Sequence, residues 1–550
     1  MNKLTGFSRL YGPIALLLAI VAISYIILAP VQTAHAIVYN EAGLPIEGAL
    51  VRLVAYPQYN DLTDSNGEYI IPEVPEGTYF ITASKEGYTT NLSSVTVTGG
   101  ATVTKDFTLT PGYNWYFAEG SIGDSTDAYV QLSNPGDTPV NVDVRFMLLT
   151  GTVVTNSSVL PANSTRVVDA KQQGLPADAL FAINVLSDKK IAAERTMVFS
   201  ALNWGGYIVD DVHDTVGATE LNTTWYFAEG SISPDTVAYV QILNPNHIQA
   251  NVTVQYMMTN GDVITTSKVV TATSRDYFYP GDVLPATSLF SLKVTSDIPI
   301  MTERTMVFVN KNWGGQIING LHDTIGSTEL SNTWYFAEGS INAQTWAYVQ
   351  ILNPNPSDAT VTVQYMKTTG EIVTTSKVVR ATSRDYFDPK AVLPATSLFS
   401  IKVTSTLPIM SERTMVFANL NWGGKIINGF HDTIGSTKLS NTWSLGGGYT
   451  ATDVVSFVQI LNPNAQAAHL NVKFMLTDGT VIPYTKTVAA NSRDYIDVGS
   501  VLGPSRYGWY SVQVTSLDQP IFIEKTEVWI GVTWHGRYID GFGDTVGSIV

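Results

Sequence analysis

Three ionisable residue types recur at fixed positions along this chain, and together they could form a catalytic or ligand-binding set. A glutamate and a histidine side by side could act as acid and base, whereas a carboxylate that bridges a guanidinium and an imidazole would make charge-assisted hydrogen bonds and stabilise the fold. The recurring sets are Glu119, Arg195 and His213, then Glu229, Arg304 and His322, then Glu338, Arg413 and His431.

A fourth copy of the pattern lacks all three residues at once. Gly447, Lys525 and Gly543 stand where the glutamate, the arginine and the histidine would be. The joint replacement indicates that the three side chains touch one another within a module. Because an enzyme has little reason to carry one active site three times, we interpret the sets as a structural network and predict that the chain is not an enzyme.

Each histidine is followed by an aspartate, as in the base and orienting acid of a hydrolytic triad. No Gly-x-Ser-x-Gly nucleophile motif accompanies these pairs. We expect the pairs to lie in glycine-flanked turns, where an aspartate commonly binds its own backbone. The histidines also lack a second metal ligand at a useful spacing. The sequence therefore predicts no catalytic residue, no metal site and no cofactor.

The acidic segment from Asp61 to Glu68 has some features of a calcium-binding loop. It departs from the spacing of an EF-hand and lacks the glutamate that ends such a loop. We interpret Asp64 to Gly67 as a type I or I′ turn between two strands, with calcium binding as the alternative. Bound calcium would stiffen the module without performing chemistry.

Exposed aromatic rings could bind sugars by stacking. Most tryptophans recur at equivalent positions of every copy, which favours a role in packing. The candidates for a contact surface are Trp346, whose matching positions hold Asp127 and Val237, and three tryptophans of the fourth copy, Trp509, Trp529 and Trp534. Because the last three belong to the divergent fourth copy, we expect that copy to be the distal contact module.

These residues are carried by four tandem copies of one module. Trp115, Trp225, Trp334 and Trp443 recur at spacings of 110, 109 and 109 residues. This period is too long for a solenoid repeat and matches an independently folding domain. Segments such as 251–256, which alternates polar and apolar residues before Asn-Gly, predict about seven short strands per copy. Short strands at regular spacing indicate a β-sandwich.

The strings Trp-Tyr-Phe-Ala-Glu-Gly-Ser and Glu-Arg-Thr-Met-Val-Phe each occur three times in the copies. With these strings the copies resemble a family of uncharacterised extracellular repeats found in prokaryotic secreted proteins. The resemblance covers residues 113–550. It implies an immunoglobulin-like β-sandwich and a surface location, and it brings no chemistry with it.

Residues 37–110 form a different module. Its landmarks, in order, are the segments 43–49, 64–69 and 75–79, which read GLPIEGA, DSNGEY and PEGTY. This succession resembles the carboxypeptidase regulatory-like domain, a transthyretin-like β-sandwich. The resemblance implies a non-catalytic accessory module of exported proteins.

The N-terminus predicts export. Lys3 and Arg9 precede a mostly apolar run from Leu10 to Val31, and Ala34-His35-Ala36 follows as a small-x-small cleavage pattern. We predict a secretory signal that is cleaved after Ala36. Because the apolar run is longer than is usual for a signal, an uncleaved membrane anchor is the alternative.

Composition narrows the function further. The net charge of −16 argues against nucleic-acid binding, which needs clustered Lys and Arg. The absence of cysteine excludes disulfides and thiolate metal sites. Only 14% of residues are charged and 45% are hydrophobic, and Thr, Val and Tyr are abundant, which favours β-structure.

The sequence thus predicts an all-β fold: a tandem array of five β-sandwich domains after an N-terminal signal or anchor helix. Short connections between the modules favour a semi-rigid rod of roughly 150–200 Å. The predicted boundaries are 1–36 for the signal or anchor, 37–110 for the first sandwich, and 113–222, 223–331, 332–440 and 441–550 for the four repeats.

The predicted function is that of a non-enzymatic cell-surface or secreted protein, acting as a structural stalk, a surface-layer component or an adhesin. The alternative is a glycan- or polysaccharide-binding accessory protein. We expect the partners to be extracellular or cell-surface proteins or glycans. We expect contact with a membrane only through the N-terminal segment.

Overall fold

The computed structural model describes residues 33–85, 87–99, 102–422 and 424–549. It divides into two compact units, the first ending at Thr110 and the second beginning at Pro111. Strands dominate both units, which confirms the all-β prediction. Of the predicted signal or anchor at residues 1–36, residues 1–32 lie outside the described part, and residues 33–36 belong to a strand. Among the described residues, no helix has the length and apolarity needed to cross a membrane.

The first unit is a sandwich of two sheets with the orders β4-β1-β7 and β3-β2-β5-β6, and β8 also pairs with β1. Alternate residues of its strands point into a shared core, as in β4, where Tyr69 and Ile71 are buried. The strands are β1 (Thr33–Asn40), β2 (Leu50–Leu53), β3 (Tyr56–Leu62), β4 (Glu68–Pro72), β5 (Gly77–Ser84), β6 (Asn91–Val97), β7 (Thr102–Thr104) and β8 (Phe107–Leu109).

Strand β1 begins four residues before the predicted start of this domain. Thr33 to Ile37 pair with β4, and Ala34 and Ala36 are buried in the core. The small residues that look like a cleavage pattern therefore have a structural role. Cleavage after Ala36 would remove the first half of a paired strand.

The segment from Asp61 to Glu68 contains a tight turn. The carboxylate of Asp64 accepts hydrogen bonds from the backbone N–H of Asn66 (2.8 Å) and Glu68 (2.9 Å). Gly67 adopts the left-handed region with φ of 76°, as such a turn requires. Asp64 is thus engaged by the backbone of its own turn.

The second unit contains four repeats with one strand order. In repeat 1 the two sheets are β12-β11-β14-β9 and β13-β10-β15-β16. Its strands are β9 (Tyr113–Phe117), β10 (Thr126–Asn134), β11 (Val140–Leu148), β12 (Val153–Leu160), β13 (Ser164–Asp169), β14 (Phe181–Ser187), β15 (Ala192–Trp204) and β16 (Tyr207–Val216), with a 3₁₀ turn at Ala170–Gln172.

Repeats 2 and 3 repeat this arrangement, except that one 26-residue strand passes through both sheets. Repeat 2 has β17 (Asn222–Phe227), β18 (Ser231–Ile232), β19 (Thr236–Asn244), β20 (Ala250–Met258), β21 (Val263–Val270), β22 (Ser274–Phe278), β23 (Ser288–Trp313) and β24 (Gln316–Ile325), with a 3₁₀ turn at Pro280–Asp282. Repeat 3 has β25 (Ser331–Phe336), β26 (Ser340–Ile341), β27 (Thr345–Asn353), β28 (Ala359–Lys367), β29 (Ile372–Val379), β30 (Ser383–Phe387), β31 (Ser397–Trp422) and β32 (Lys425–Ile434), with a 3₁₀ turn at Pro389–Ala391.

Repeat 4 adds one short helix to the same arrangement. It has β33 (Thr442–Thr450), β34 (Val454–Asn462), β35 (Ala468–Leu476), β36 (Val481–Val488), β37 (Ser492–Asp497), α1 (Val498–Leu502), a 3₁₀ turn at Pro504–Arg506, β38 (Gly508–Ser516), β39 (Phe522–Trp534) and β40 (Arg537–Val546). The recurring tryptophan of each repeat lies in its core, where the indole N–H donates to a backbone carbonyl 2.8 to 3.1 Å away.

The four repeats close into a ring. Their last strands (β16, β24, β32 and β40) contact one another in turn, and β40 of repeat 4 contacts β16 of repeat 1. Asp211 of β16 joins both neighbours, because its carboxylate accepts backbone hydrogen bonds from Leu321 in repeat 2 (2.9 Å) and Phe542 in repeat 4 (3.4 Å). The rod that we expected for the repeats is therefore wrong, because the sandwiches pack side by side.

Candidate functional site

The recurring ionisable residues lie at the interfaces between repeats. At the interface of repeats 1 and 2, Arg195 Nη1 donates to Glu303 Oε2 (2.7 Å), and Nη2 donates to Asp323 Oδ2 (2.5 Å). Glu119 Oε2 lies 3.6 Å from Arg195 Nη2 and 3.5 Å from His213 Nε2. The glutamate, arginine and histidine of one repeat are thus close together, but the shortest contacts of the arginine reach the next repeat.

The same arrangement recurs at the next two interfaces. Arg304 pairs with Glu412 (2.7 Å) and Asp432, and Arg413 pairs with Glu524 (2.5 Å) and Asp544. Each glutamate on the far side also accepts backbone N–H groups, as Glu412 does from Ala228 (2.8 Å) and Glu229 (3.1 Å). Every charge of these pairs is therefore compensated across an interface, as buried ions require.

Burial determines the protonation of these groups. Burial and the charge of Arg304 hold the pKa of His322 well below its usual value, and burial and Arg413 do the same for His431. Both imidazoles are therefore neutral at neutral pH. Burial opposes the ionisation of Glu119, but the contact with His213 and the charges of His213 and Arg195 lower its pKa to about 2. Each histidine packs on a phenylalanine, as His213 does on Phe199 at 5.5 Å.

The ring places three groups of metal-ligating type together at this interface. The ligand atoms of Glu119, His213 and Asp323 lie within 4.8 Å of one another. The sequence argument against a second ligand was wrong, because the aspartate comes from the following repeat. The guanidinium of Arg195, 2.5 Å from Asp323, already occupies the position of the cation. These residues therefore do not fit a metal ion. Similar groups occur at Glu338, His431 and Asp544 and at Glu229, Glu412 and Asp432.

The replaced residues of repeat 4 close the ring against repeat 1. Lys525 Nζ donates to Glu194 Oε2 (2.9 Å) and lies 3.3 Å from Asp214 Oδ2. A Cβ atom on Gly447 would lie 1.9 Å from Gln131 Oε1, and one on Gly543 would lie 2.5 Å from Asp214 Oδ2. Glycine is therefore required at both positions, because any larger residue would clash with a side chain of repeat 1.

Glu527 supplies the carboxylate that Gly447 lacks. It stands where the other repeats have a methionine, and it accepts the backbone N–H of Tyr449 (2.5 Å). Burial raises its pKa to about 8 despite the charge of Lys525 nearby.

The candidate tryptophans of repeat 4 pack at the same closing interface. Trp529 is completely buried and stacks on Tyr449 at 5.5 Å, so its prediction as a contact aromatic is wrong. Trp509 and Trp534 are half-buried and pack on Tyr129 of repeat 1 at 5.5 and 5.8 Å. These three tryptophans thus pack in the interface that closes the ring, and Trp534 stands at the position that Trp204 has in repeat 1.

Trp346 is half-buried at the junction of repeats 2 and 3. Lys390 Nζ lies 3.7 Å from the centre of its ring. On the other side, a Cβ atom on Gly314 of repeat 2 would lie 3.0 Å from Trp346 Cζ2. Trp346 therefore packs between two neighbours and does not form an open platform.

Sequence reasoning missed the glutamates that pair across the interfaces, and it considered the aspartates after the histidines only as triad members or turn residues. The glutamates are Glu194, Glu303, Glu412 and Glu524, the aspartates are Asp214, Asp323, Asp432 and Asp544, and the residues Asp211 and Glu527 were also missed. One signal could have found the glutamates: a glutamate precedes the basic residue in all four repeats, even where arginine becomes Lys525.

A cavity of about 520 Å³ opens between repeats 1 and 2. Its floor is polar, and Arg275 Nη2 donates there to Gln241 Oε1 (2.5 Å), whose amide donates in turn to Thr305 (3.2 Å). Glu119 also lines the floor, and three aromatic residues form a wall: Trp204, Tyr239 and Tyr277.

A second cavity, of about 330 Å³, lies between repeats 3 and 4 and is lined by equivalent residues. They include Glu338, Gln459, Arg493, Thr526, Trp422, Phe457 and Tyr495.

The carboxypeptidase regulatory-like domain family matches residues 34–110. The first unit is therefore a domain of this class, as the sequence predicted, and its match begins within β1. No curated protein matches the chain.

Several solved structures match parts of the chain at low identity. A Thermotoga maritima protein, 1070, is 16% identical, with 19% of this chain and 92% of that chain covered and a TM-score of 0.18. The Anabaena sensory rhodopsin transducer is 23% identical, with coverages of 15% and 94% and a TM-score of 0.14. BcpA, the major pilin subunit of Bacillus cereus, is 12% identical, with coverages of 54% and 95% and a TM-score of 0.13. Similarities at this level do not define a function for this chain.

Proposed function

We propose that this chain is a non-enzymatic modular protein of the cell surface or the extracellular space, and that its four repeats form a structural platform. The proposal depends on one observation: the recurring ionisable residues bind neighbouring repeats to one another. Each arginine is buried and bound by carboxylates of the following repeat, so the residues that could do chemistry instead hold neighbouring repeats together.

The protonation of the set argues against catalysis. Glu119 and Glu338 are members of the set that reach a cavity, and a carboxyl with a pKa of about 2, as Glu119 has, is a poor proton donor and a weak base near neutral pH. The neutral His322 and His431 are buried, with a phenylalanine against each ring. Glu119, His322 and His431 therefore lack the pKa near 7 that acid–base catalysis favours.

The closed ring changes which structural role we propose. A ring of four sandwiches presents a broad, rigid surface and does not extend as a stalk would. We therefore favour a surface-layer component or an adhesin, with extracellular proteins or glycans as partners. The carboxypeptidase regulatory-like domain at the N-terminus supports export, because this class is an accessory of exported proteins.

Localisation tests the proposal. In intact cells of the source organism, we expect an epitope at the C-terminus to be accessible to antibody and to added protease, or to be present in the medium. A cytosolic enzyme should serve as the control for lysis. Retention of the epitope inside intact cells would contradict the proposal.

The alternative function, glycan binding, is favoured by one specific observation. The cavity between repeats 1 and 2 combines an aromatic wall with a polar floor, which is the composition of sites that bind small polar ligands.

A further inference from the structure

The wall of the cavity between repeats 1 and 2 is built from rings of both repeats. Trp204 ends β15 of repeat 1, and it packs edge to face against Tyr239 of repeat 2 at 6.1 Å. Tyr239 packs in the same way against Tyr277 at 5.5 Å. Tyr277 is 40% exposed, so part of the wall is open to a ligand from solvent.

The floor contains a carboxylate and a guanidinium whose hydrogen-bonding capacity is only partly used. Arg275 Nε is buried and has no hydrogen-bond partner among the described residues, and Glu119 Oε2 makes no short hydrogen bond, because its neighbours Arg195 Nη2 and His213 Nε2 lie 3.6 and 3.5 Å away. A buried polar group without a hydrogen-bond partner destabilises the folded chain, because it has lost its water and gained nothing in exchange. A hydroxyl group can donate to the carboxylate and accept from the guanidinium, so a ligand with hydroxyl groups would satisfy both.

The charges of the site favour a neutral ligand. On the floor, the negative charge of Glu119 is balanced by the positive charge of Arg275, and both side chains are more than 90% buried. At the rim, Asp124 and Asp178 are exposed and would repel an anion. Because the floor already contains its own cation, a positively charged ligand is not favoured there either.

The second cavity repeats part of this chemistry. Between repeats 3 and 4, Arg493 Nε is again buried without a partner, and Glu338, Gln459 and Tyr495 occupy the equivalent positions, but Glu338 Oε2 already accepts a hydrogen bond from Thr526 (3.1 Å). This cavity is smaller, and it has Phe542 where the first has Leu321. Two cavities with the same residue types on the floor and a similar wall indicate a shared ligand class.

We propose that the cavity between repeats 1 and 2 binds a neutral carbohydrate, with a sugar ring stacked on the wall of Trp204, Tyr239 and Tyr277 and hydroxyl groups bound to Glu119 and Arg275. Its volume of about 520 Å³ lies within the usual range for small-molecule sites. The second cavity, at about 330 Å³, has room for a smaller part of the same ligand. The site is independent of the proposed surface role, because a ring that binds no sugar can still be a platform.

Titration of the full-length chain tests the proposal. The probes are cellotriose, maltotriose, chitotriose and mannotriose, with trigalacturonate as a charged trisaccharide. Binding of each probe is measured by calorimetry and by tryptophan fluorescence. We expect saturable binding of at least one neutral trisaccharide below 10 mM, a change in fluorescence from Trp204, and at least tenfold weaker binding of trigalacturonate.

Two matched variants locate the site. Tyr277→Ala removes the exposed end of the wall and should weaken binding about tenfold. Tyr386→Ala removes the equivalent tyrosine of repeat 3, which lines neither cavity, and should leave the affinity unchanged. Melting temperatures of both variants check the fold. The proposal is overturned if no neutral trisaccharide binds saturably up to 10 mM, if trigalacturonate binds as tightly, or if the two variants weaken binding equally.

Discussion

A buried arginine that binds carboxylates of a second repeat determines which two repeats pack together. Arg304 is fully buried, and its guanidinium binds the carboxylates of Glu412 and Asp432. A buried ion pair adds little net stability compared with a well-packed apolar pair, but the loss of one partner leaves an uncompensated charge. The pairs therefore select the correct neighbour and the correct register between repeats.

Arg304→Met should destabilise the second unit strongly. Because Glu412 and Asp432 would remain buried without their cation, we expect a loss of about 3–5 kcal/mol, measured as a lower melting temperature or urea midpoint. Lys367→Met is the control, since Lys367 pairs with the exposed Glu371, and it should cost less than about 1 kcal/mol. Equal effects of the two substitutions would contradict the network.

Glu527 should make the closing interface sensitive to pH. Burial raises its pKa to about 8 from the usual 4.5, with Asp214 raising it further and Lys525 opposing. The folded ring therefore binds this proton more tightly than the unfolded chain does. The stabilisation is fully present below about pH 4.5 and is lost as the pH rises through about 8.

The variant Glu527→Gln removes this titration. We expect its melting temperature to vary less between pH 5 and pH 9 than that of the unmodified chain, with the largest gain at pH 9. Glu194 and Asp214 also face Lys525 and remain in the variant, so some dependence on pH should persist. An unchanged pH profile would show that Glu527 does not titrate in this range.

Joint replacement in repeat 4 predicted that the glutamate, arginine and histidine lie together, and Arg195 does lie 3.6 Å from Glu119. The partners across the interface could not be predicted in this way. Residues equivalent to Glu303 and Asp323 are present in every repeat. Because they do not vary together with the arginine, the sequence does not show that they contact it from the neighbouring repeat.

At the scale of elements, alternation of residues along the chain predicted the strands well. The segment 251–256 lies within β20, and Gly261 in the turn that follows has φ of 93°. Strand β1 was missed for a physical reason: small residues that suit a cleavage site, such as Ala34 and Ala36, also suit a tightly packed core. Local sequence does not distinguish these two uses.

The first unit should depend on the residues before Ile37. A chain that begins at Ile37 loses the pairing of Thr33 to Ala36 with β4 and the burial of two alanines. We expect a loss of at least about 1 kcal/mol and so a melting temperature roughly 4–8 °C lower for a domain of this size.

A chain that begins at Thr33 is the control for this truncation and should melt like the full-length unit. N-terminal sequencing of the exported protein provides a second measurement, and we expect no mature N-terminus at Ile37. Equal melting temperatures for the two chains would show that this half of β1 is dispensable.

For the four repeats as a whole, short connections were compatible with both a rod and a ring. The choice depends on side-chain chemistry at interfaces that are distant in sequence, such as the contact of Lys525 with Glu194, 331 residues apart. No local pattern encodes such a contact. The spacing of the repeats predicted their number, but it could not predict their arrangement.

Solution scattering distinguishes the two arrangements. For residues 111–550, a compact ring should have a radius of gyration of roughly 22 Å, against roughly 40 Å for four modules placed end to end. Lys525→Met leaves Glu194 and Asp214 without their cation, and we expect it to open the ring and raise the radius. A radius near 40 Å for the unmodified chain would exclude the ring.

The closing contact also has a consequence during synthesis. At about 5–20 residues per second, repeat 1 waits roughly 15–65 s for the 331 residues that separate Glu194 from Lys525. For that time its face with Tyr129, Val198 and Val212 has no covering partner. Repeat 4 of a second nascent chain could fill it first. Correct closure within one chain therefore requires that a ribosome finishes repeat 4 before a neighbouring ribosome on the same message presents its own repeat 4 to the exposed face.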